Sequence, residues 1–214
     1  MTEPPVDLPT SGSSPRPRVE GDREQEILDG ALEVLVDLGY DRLTFDAVAA
    51  HVRASKATLY RRWNTKADLV VSAVEASVAM TTAHEIPDTG SLRGDLMAMF
   101  VREDNLPIRI AEIIAAVMPA MHRDPDLTEA VKERIVGPKT AALRTMIERA
   151  QSTGEVGPDA NVDLLVAIIP ALNMHLVVTT GQCPALPVMR TIIDSVVLPA
   201  CRATRQPSYV GDRP

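Results

Sequence analysis

The four histidines, His51, His84, His122 and His175, are scattered along 214 residues, and the two cysteines, Cys183 and Cys201, sit in no CxxC or Cys/His array. Catalysis requires a nucleophile with its base, paired carboxylates or a metal cluster. No HExxH, GxSxG or glycine-rich phosphate loop supplies one. The expectation is a binding protein and not an enzyme, with no metal and no cofactor. Buried, reduced thiols are the simplest account of the cysteines. The residues that do cluster are cations: Arg53, Lys56, Arg61, Arg62 and Lys66 lie in a window between Asp46 and Asp68 that contains no acid. A formal net charge of -7 argues against indiscriminate nucleic-acid binding, but a local basic patch of this kind can neutralise phosphates.

The elements that must position this patch are short and helical. Hydrophobic content is 45% and aromatic content only 3%, so the core is built of aliphatic side chains and Met, which favours an all-α fold. Ile27, Leu28, Ala31, Leu32, Leu35 and Leu38 recur at helical spacing, predicting a first helix from Asp22, as cap, to Leu38, with Gly39 ending it. Thr44 is a natural cap for a two-turn helix carrying Phe45, Val48, Ala49 and Val52 on one stripe, with Asp46 well placed against its dipole. Ser55 caps a third helix, Lys56 to Trp63, which buries Leu59 and Trp63 and turns Lys56, Ala57, Tyr60 and Arg61 outward. Thr65 and Asp68 open a fourth helix as a T-x-x-D box, running to about Thr82.

Three short helices, with a tight turn before a third whose outer face is basic, describe a helix-turn-helix that places its third helix in the major groove. The segment TFDAVAAHVRASKATLYRRWNTKADLV, Thr44 to Val70, resembles the DNA-binding segment of the TetR family of repressors. The matching features are Thr44, Ala49, the Ser55 to Tyr60 block, Trp63 and Thr65 to Leu69. Ala54 stands where Val is frequent, and Ala57 where Gly is common. The resemblance implies that Lys56, Ala57, Thr58 and Tyr60 approach bases or the adjacent backbone. It implies that Thr44, Arg53, Ser55, Arg61, Arg62 and Lys66 hold phosphates. It also implies a homodimer on a palindromic operator in double-stranded DNA, repression released by a small-molecule effector, and a shift of the fourth helix as the link between the two.

Beyond a turn-rich stretch at His84 to Gly90, helices are predicted at Ser91 to Asn105, Ile108 to Met121, Pro125 to Thr153 with a kink or split at Gly137 and Pro138, Val162 to Thr180, and Val188 to Ala203. Val162 to Thr180 is apolar on nearly every side, yet Asp163, Pro170, Asn173 and His175 interrupt it. It reads as a helix buried on all sides, partly against a second subunit, and not as a membrane span. The last two helices are thus the expected dimer interface. Met97, Phe100, Ile114, Met118, Met121 and Met146 are candidate lining for an apolar or amphipathic effector. Asn173 and His175 are either satisfied core polar groups or groups that orient the ligand, the former being the simpler reading.

The expected organisation is a disordered tail over 1–21, a helix-turn-helix domain over 22–70, a helical ligand-sensing and dimerisation domain over 71–205, and a loose tail over 206–214. Met1 to Val19 has no apolar run, so a cytoplasmic protein is expected. An activator, or a helical protein-interaction module with the same fold, is the alternative to a repressor.

Overall fold

A computed structural model describes residues 20–79, 86–100 and 110–202, and among these the regular structure is helical throughout. The first helix, α1 (Glu20–Leu38), begins two residues ahead of the expected cap, so Asp22 lies inside its first turn. Gly39 follows with φ 76° and ψ 161°, a conformation open essentially to glycine alone. A 3-10 turn, Tyr40–Arg42, which the periodicity does not announce, leads into α2 (Phe45–His51), α3 (Lys56–Tyr60) and α4 (Lys66–Ala79). The third helix is shorter than expected: after Tyr60 the chain turns, and Trp63 reaches the core from the turn.

The rest comprises α5 (Leu92–Phe100), α6 (Ile110–Met121), α7 (Pro125–Val131), α8 (Gly137–Ser152), α9 (Val162–Thr180), α10 (Leu186–Ile192) and α11 (Leu198–Arg202). Two π-helical turns, Lys132–Val136 and Ile193–Val197, join α7 to α8 and α10 to α11. Each ends two residues before a proline, Pro138 and Pro199. A proline offers no amide to the carbonyl one turn back and its ring crowds that carbonyl, and a widened turn absorbs both effects. The long helix over Pro125–Ser152 is therefore widened where Gly137 and Pro138 were expected to kink it.

The apolar interior forms two clusters. One unites α1 to α4 with the inner faces of α6 and α7, through Leu35, Val48, Leu59, Trp63, Leu69, Val117 and Leu127. The other joins α5, α8, α9 and the C-terminal helices, through Leu96, Met146, Ile147, Ile169 and Ile193. Asp95 is the buried charge of the second cluster. It accepts from the Thr89 amide (2.7 Å), the Thr89 hydroxyl (2.8 Å) and Arg149 Nη2 (2.6 Å), fastening α5 to α8. Burial pushes its pKa upward, and these donors overcome that and hold it below the usual carboxylate range.

Within a single chain the α9 helix is only partly covered. It is long and apolar enough to cross a membrane by length and composition, yet only 22% of its most apolar window is buried within one chain. Leu165, Val166, Ile169 and Val177 face inward, whereas Leu164 and Val178 are 64% and 73% exposed.

Candidate nucleic-acid interface

The turn between α2 and α3 is fixed by local caps and one distant arginine. The Thr44 hydroxyl accepts from the Ala47 amide (3.1 Å), and the Ser55 hydroxyl accepts from the Thr58 amide (3.1 Å) while also meeting the Thr58 hydroxyl (2.8 Å). Both hydroxyls cap helices as the sequence predicts. Between the two helices Arg53 adopts φ 51°, a left-handed conformation unfavourable for a residue with a Cβ. Arg23 of α1 holds it there, donating to the carbonyls of Val52 (3.0 Å) and Arg53 (3.1 Å). Behind the turn, a Cβ on Gly30 would collide with Val52 Cγ1, so α1 can approach the end of α2 this closely only with glycine at that position.

On the outer face, Arg53, Ser55, Lys56, Ala57, Tyr60, Arg61 and Arg62 are exposed, and Thr58 is half-buried. The Tyr60 ring stacks on Phe45 with centroids 4.4 Å apart and planes 14° from parallel. Phe45 is buried and Tyr60 is 56% exposed, so the stack holds Tyr60 at the surface in a fixed orientation. Thr44, the exposed hydroxyl at the start of α2, borders the same face. The cations differ in their neighbours: Lys56 pairs with Asp46, and Arg62 with Glu24 of α1 (2.8 Å). Lys66 is half-buried; its ammonium donates to the Tyr40 carbonyl (3.0 Å) and lies 4.1 Å above the Tyr40 ring. Among the described residues Arg53 and Arg61 have no ion-pair partner. The distant partners Arg23, Glu24 and Tyr40 have no local sequence signal, because each acts across a helix-helix contact.

Two further contacts tie this unit to the second half of the chain. The Tyr40 hydroxyl donates to Asp124 Oδ2 (2.6 Å) across 84 positions of sequence. Burial first, and then the Asp124 carboxylate, push the Tyr40 hydroxyl well above its usual pKa, while the same hydrogen bond lowers that of Asp124. Arg134, in the π-helical turn, grips α4: Nη1 meets Asp68 (2.9 Å), Nη2 meets Ser72 (3.0 Å), and Nε meets Glu75 (3.1 Å). Asp68 thus spends its carboxylate on Arg134, and the expected capping box is carried by Thr65, whose hydroxyl accepts from the Asp68 amide (3.0 Å).

The expected effector lining does not assemble as one group. Met97, Phe100 and Met146 belong to the second cluster and Met121 packs on the first. Ile114 is half-buried and Met118 is 37% exposed. Cys183 and His175 are exposed, against the expectation of buried thiols and a core histidine; Cys201 is buried. Asn173 departs from the simpler reading too: its Oδ1 is buried without a hydrogen-bond partner. Among the described residues no group of His, Cys, Asp and Glu has the makings of a metal site.

Comparison with known proteins agrees with this architecture. Residues 27–73 match the family described as bacterial regulatory proteins, tetR family, and residues 86–196 match the tetracyclin repressor-like C-terminal domain. An HTH-type transcriptional regulator of Mycobacterium tuberculosis, Rv1556, is 34% identical over 198 residues, 91% of this chain and 93% of that protein. The DNA-binding transcriptional repressor TetR of Mycobacteroides abscessus is 33% identical over 82% of this chain and 92% of its own length. Among solved structures, the TetR family transcription regulator SCO0332 superposes with a TM-score of 0.57 at 25% identity, over 80% of this chain and 96% of its own. A structure of Salmonella enterica GusR shares the fold with a TM-score of 0.65 at 18% identity, over 85% and 98%. With both halves matched and the helix-turn-helix in place, the chain belongs to the TetR family and is a DNA-binding transcriptional regulator, not an enzyme.

Proposed function

We propose that the protein is a cytoplasmic homodimeric repressor that releases a palindromic operator when a small apolar or amphipathic molecule binds its C-terminal half. In this reading residues 22–70 form the DNA-binding domain and 71–205 the sensing and dimerising one. Lys56, Ala57, Thr58 and Tyr60 approach bases or the adjacent backbone in the major groove, and Thr44, Arg53, Ser55, Arg61 and Arg62 hold phosphates. Lys66 keeps its place among the phosphate contacts only if DNA competes with its hold on Tyr40. The observation that carries the reading is the exposed cationic face of α3, set by capped helices and a pinned turn against a rigid core.

Dimerisation is supported by the exposed apolar stripe on α9, with Val188 and Val196 exposed on the C-terminal segments beside it. A large apolar surface left in water marks an interaction face, and a two-fold pair would place two copies of α3 in successive major grooves. Effector binding acts by favouring an arrangement of α4 in which that spacing is lost. Met97, Phe100 and Met146 remain the candidate apolar lining. Asn173 becomes the candidate polar contact, since an orphaned buried acceptor is satisfied by a ligand N–H or O–H.

The test is selection of bound sequences from random duplex DNA at two salt concentrations, with sedimentation on the same preparation. A dimer enriching a palindrome, with affinity falling steeply as salt rises, is the expected result. A folded monomer, or a folded dimer enriching nothing, is the contrary one.

A further inference from the structure

The Asp46–Lys56 pair sets a carboxylate against the first residue of α3, whereas Glu24, another acid paired with this face, meets Arg62 beyond the end of that helix. Asp46 lies in the first turn of α2 and Lys56 is the first residue of α3. Their side chains form an ion pair while remaining 59% and 60% accessible, so the pair is presented to whatever α3 meets. The sequence holds no other acid from Asp46 up to Asp68, and Asp68 is committed to Arg134 on the far side of α4.

This pair is poorly suited to the DNA backbone. A lysine contributes to phosphate binding by displacing counterions, and Lys56 is already neutralised by a carboxylate that phosphates would repel. Base edges are a better match. The ammonium keeps donors beyond the one given to Asp46, and the carboxylate keeps lone pairs. The pair thus presents a donor beside an acceptor. A G·C pair in the major groove presents two adjoining acceptors, G N7 and O6, and then a donor, C N4–H. An A·T pair puts its donor between two separated acceptors, with the thymine methyl beside one of them, so the ammonium gains a single acceptor there.

We propose that Asp46 is a specificity-determining residue that reads, with Lys56, one G·C base pair in each half-site. The Asp46 carboxylate accepts from cytosine N4–H, and the Lys56 ammonium donates to N7 and O6 of the paired guanine. The acceptor side fixes the orientation, so C·G is rejected as well as A·T. This inference rests on the reading of α3 as the major-groove helix.

The experiment is random-duplex selection followed by titration of single-position operator variants, on the full chain and on Asp46→Ala and Asp46→Asn. The wild type is expected to require G·C at one symmetric pair of positions. In Asp46→Ala the preference there falls by roughly five- to a hundredfold while the other positions keep theirs. Affinity for random duplex rises, and the salt slope steepens by about one as Lys56 is released to phosphate. Asp46→Asn, which adds a donor beside its acceptor, moves the position toward A·T. It also carries the test if Asp46→Ala melts too low to assay. Uniformly tighter binding by both variants with an unchanged sequence preference overturns the proposal and leaves Asp46 as a simple repeller of phosphates. A wild-type motif with no G·C requirement overturns it as well. Absence of any wild-type motif instead overturns the operator reading, and this inference with it.

Discussion

Tyr60 is held at the surface of α3 by its stack on Phe45, a residue of α2 buried in the core, with 4.4 Å between ring centroids. The stack orients a hydroxyl that has no described intramolecular partner toward the outer face. Tyr60→Phe keeps the ring and removes the hydroxyl, so the melting temperature should hold while operator affinity falls by roughly five- to tenfold, the worth of one hydrogen bond. Tyr60→Ala should lose affinity further and also about 1 kcal/mol of stability from the lost aromatic pair. Equal affinity for wild type and Tyr60→Phe would remove the hydroxyl from the interface.

Arg53 combines a left-handed backbone with an unpaired guanidinium. Arg53→Gly should therefore separate stability from binding. Relief of the positive φ should offset the extra chain entropy of glycine, leaving stability within about 1 kcal/mol of wild type. DNA affinity should fall and its salt slope should shrink by about one phosphate. Chemical denaturation and titration at several salt concentrations check both halves.

Arg134 connects the π-helical turn to three partners along one face of α4. Arg134→Met leaves Asp68 and Glu75 without their cation and should destabilise by about 1 to 2 kcal/mol, a range discounted for partial exposure. Amide exchange along Lys66–Ala79 should accelerate, and DNA affinity should fall as α4 loosens against α1, whose Arg23 pins the turn before α3. Arg134→Lys supplies one point charge in place of a planar fork and should restore only part of the loss. Unchanged exchange in α4 would show that the grip is incidental.

The stability of the fold should have acid and alkaline limits set by identifiable groups. Asp95 and Asp124 have lowered pKa values in the folded chain, so their stabilisation is complete above the unfolded value of about 4 and is lost as pH falls through their folded values. Tyr40 has a raised pKa, so its stabilisation is complete below the unfolded value of about 10 and is lost as pH rises beyond it. Tyr40→Phe should flatten the alkaline limb, and Asp95→Asn should lower stability at neutral pH by about 2 to 3 kcal/mol by leaving Arg149 without its buried partner. Denaturation midpoints across pH test each limb separately.

Local chemistry was enough for the sequence to determine the helix-turn-helix and the all-α class. Thr44 and Ser55 cap the helices that follow them because a hydroxyl one residue ahead of a helix needs only its own backbone. Leu59 faces inward because helical spacing leaves it no other side, whereas Trp63 is buried as expected but from the turn that follows α3. Only the tertiary structure decided which charges remain available on the outer face. Lys56 is joined by Asp46, Arg62 by Glu24 and Lys66 by Tyr40, and these pairings arise from helix packing, which spacing along the chain does not encode. The same holds for the grip of Arg134 on α4, for the Tyr40–Asp124 bond, and for the apolar side of α9 left uncovered by its own chain. The scattering of the expected effector lining between two clusters has this origin as well: apolar Met and Ile positions specify burial, and which interior they enter is settled by the crossing of distant helices.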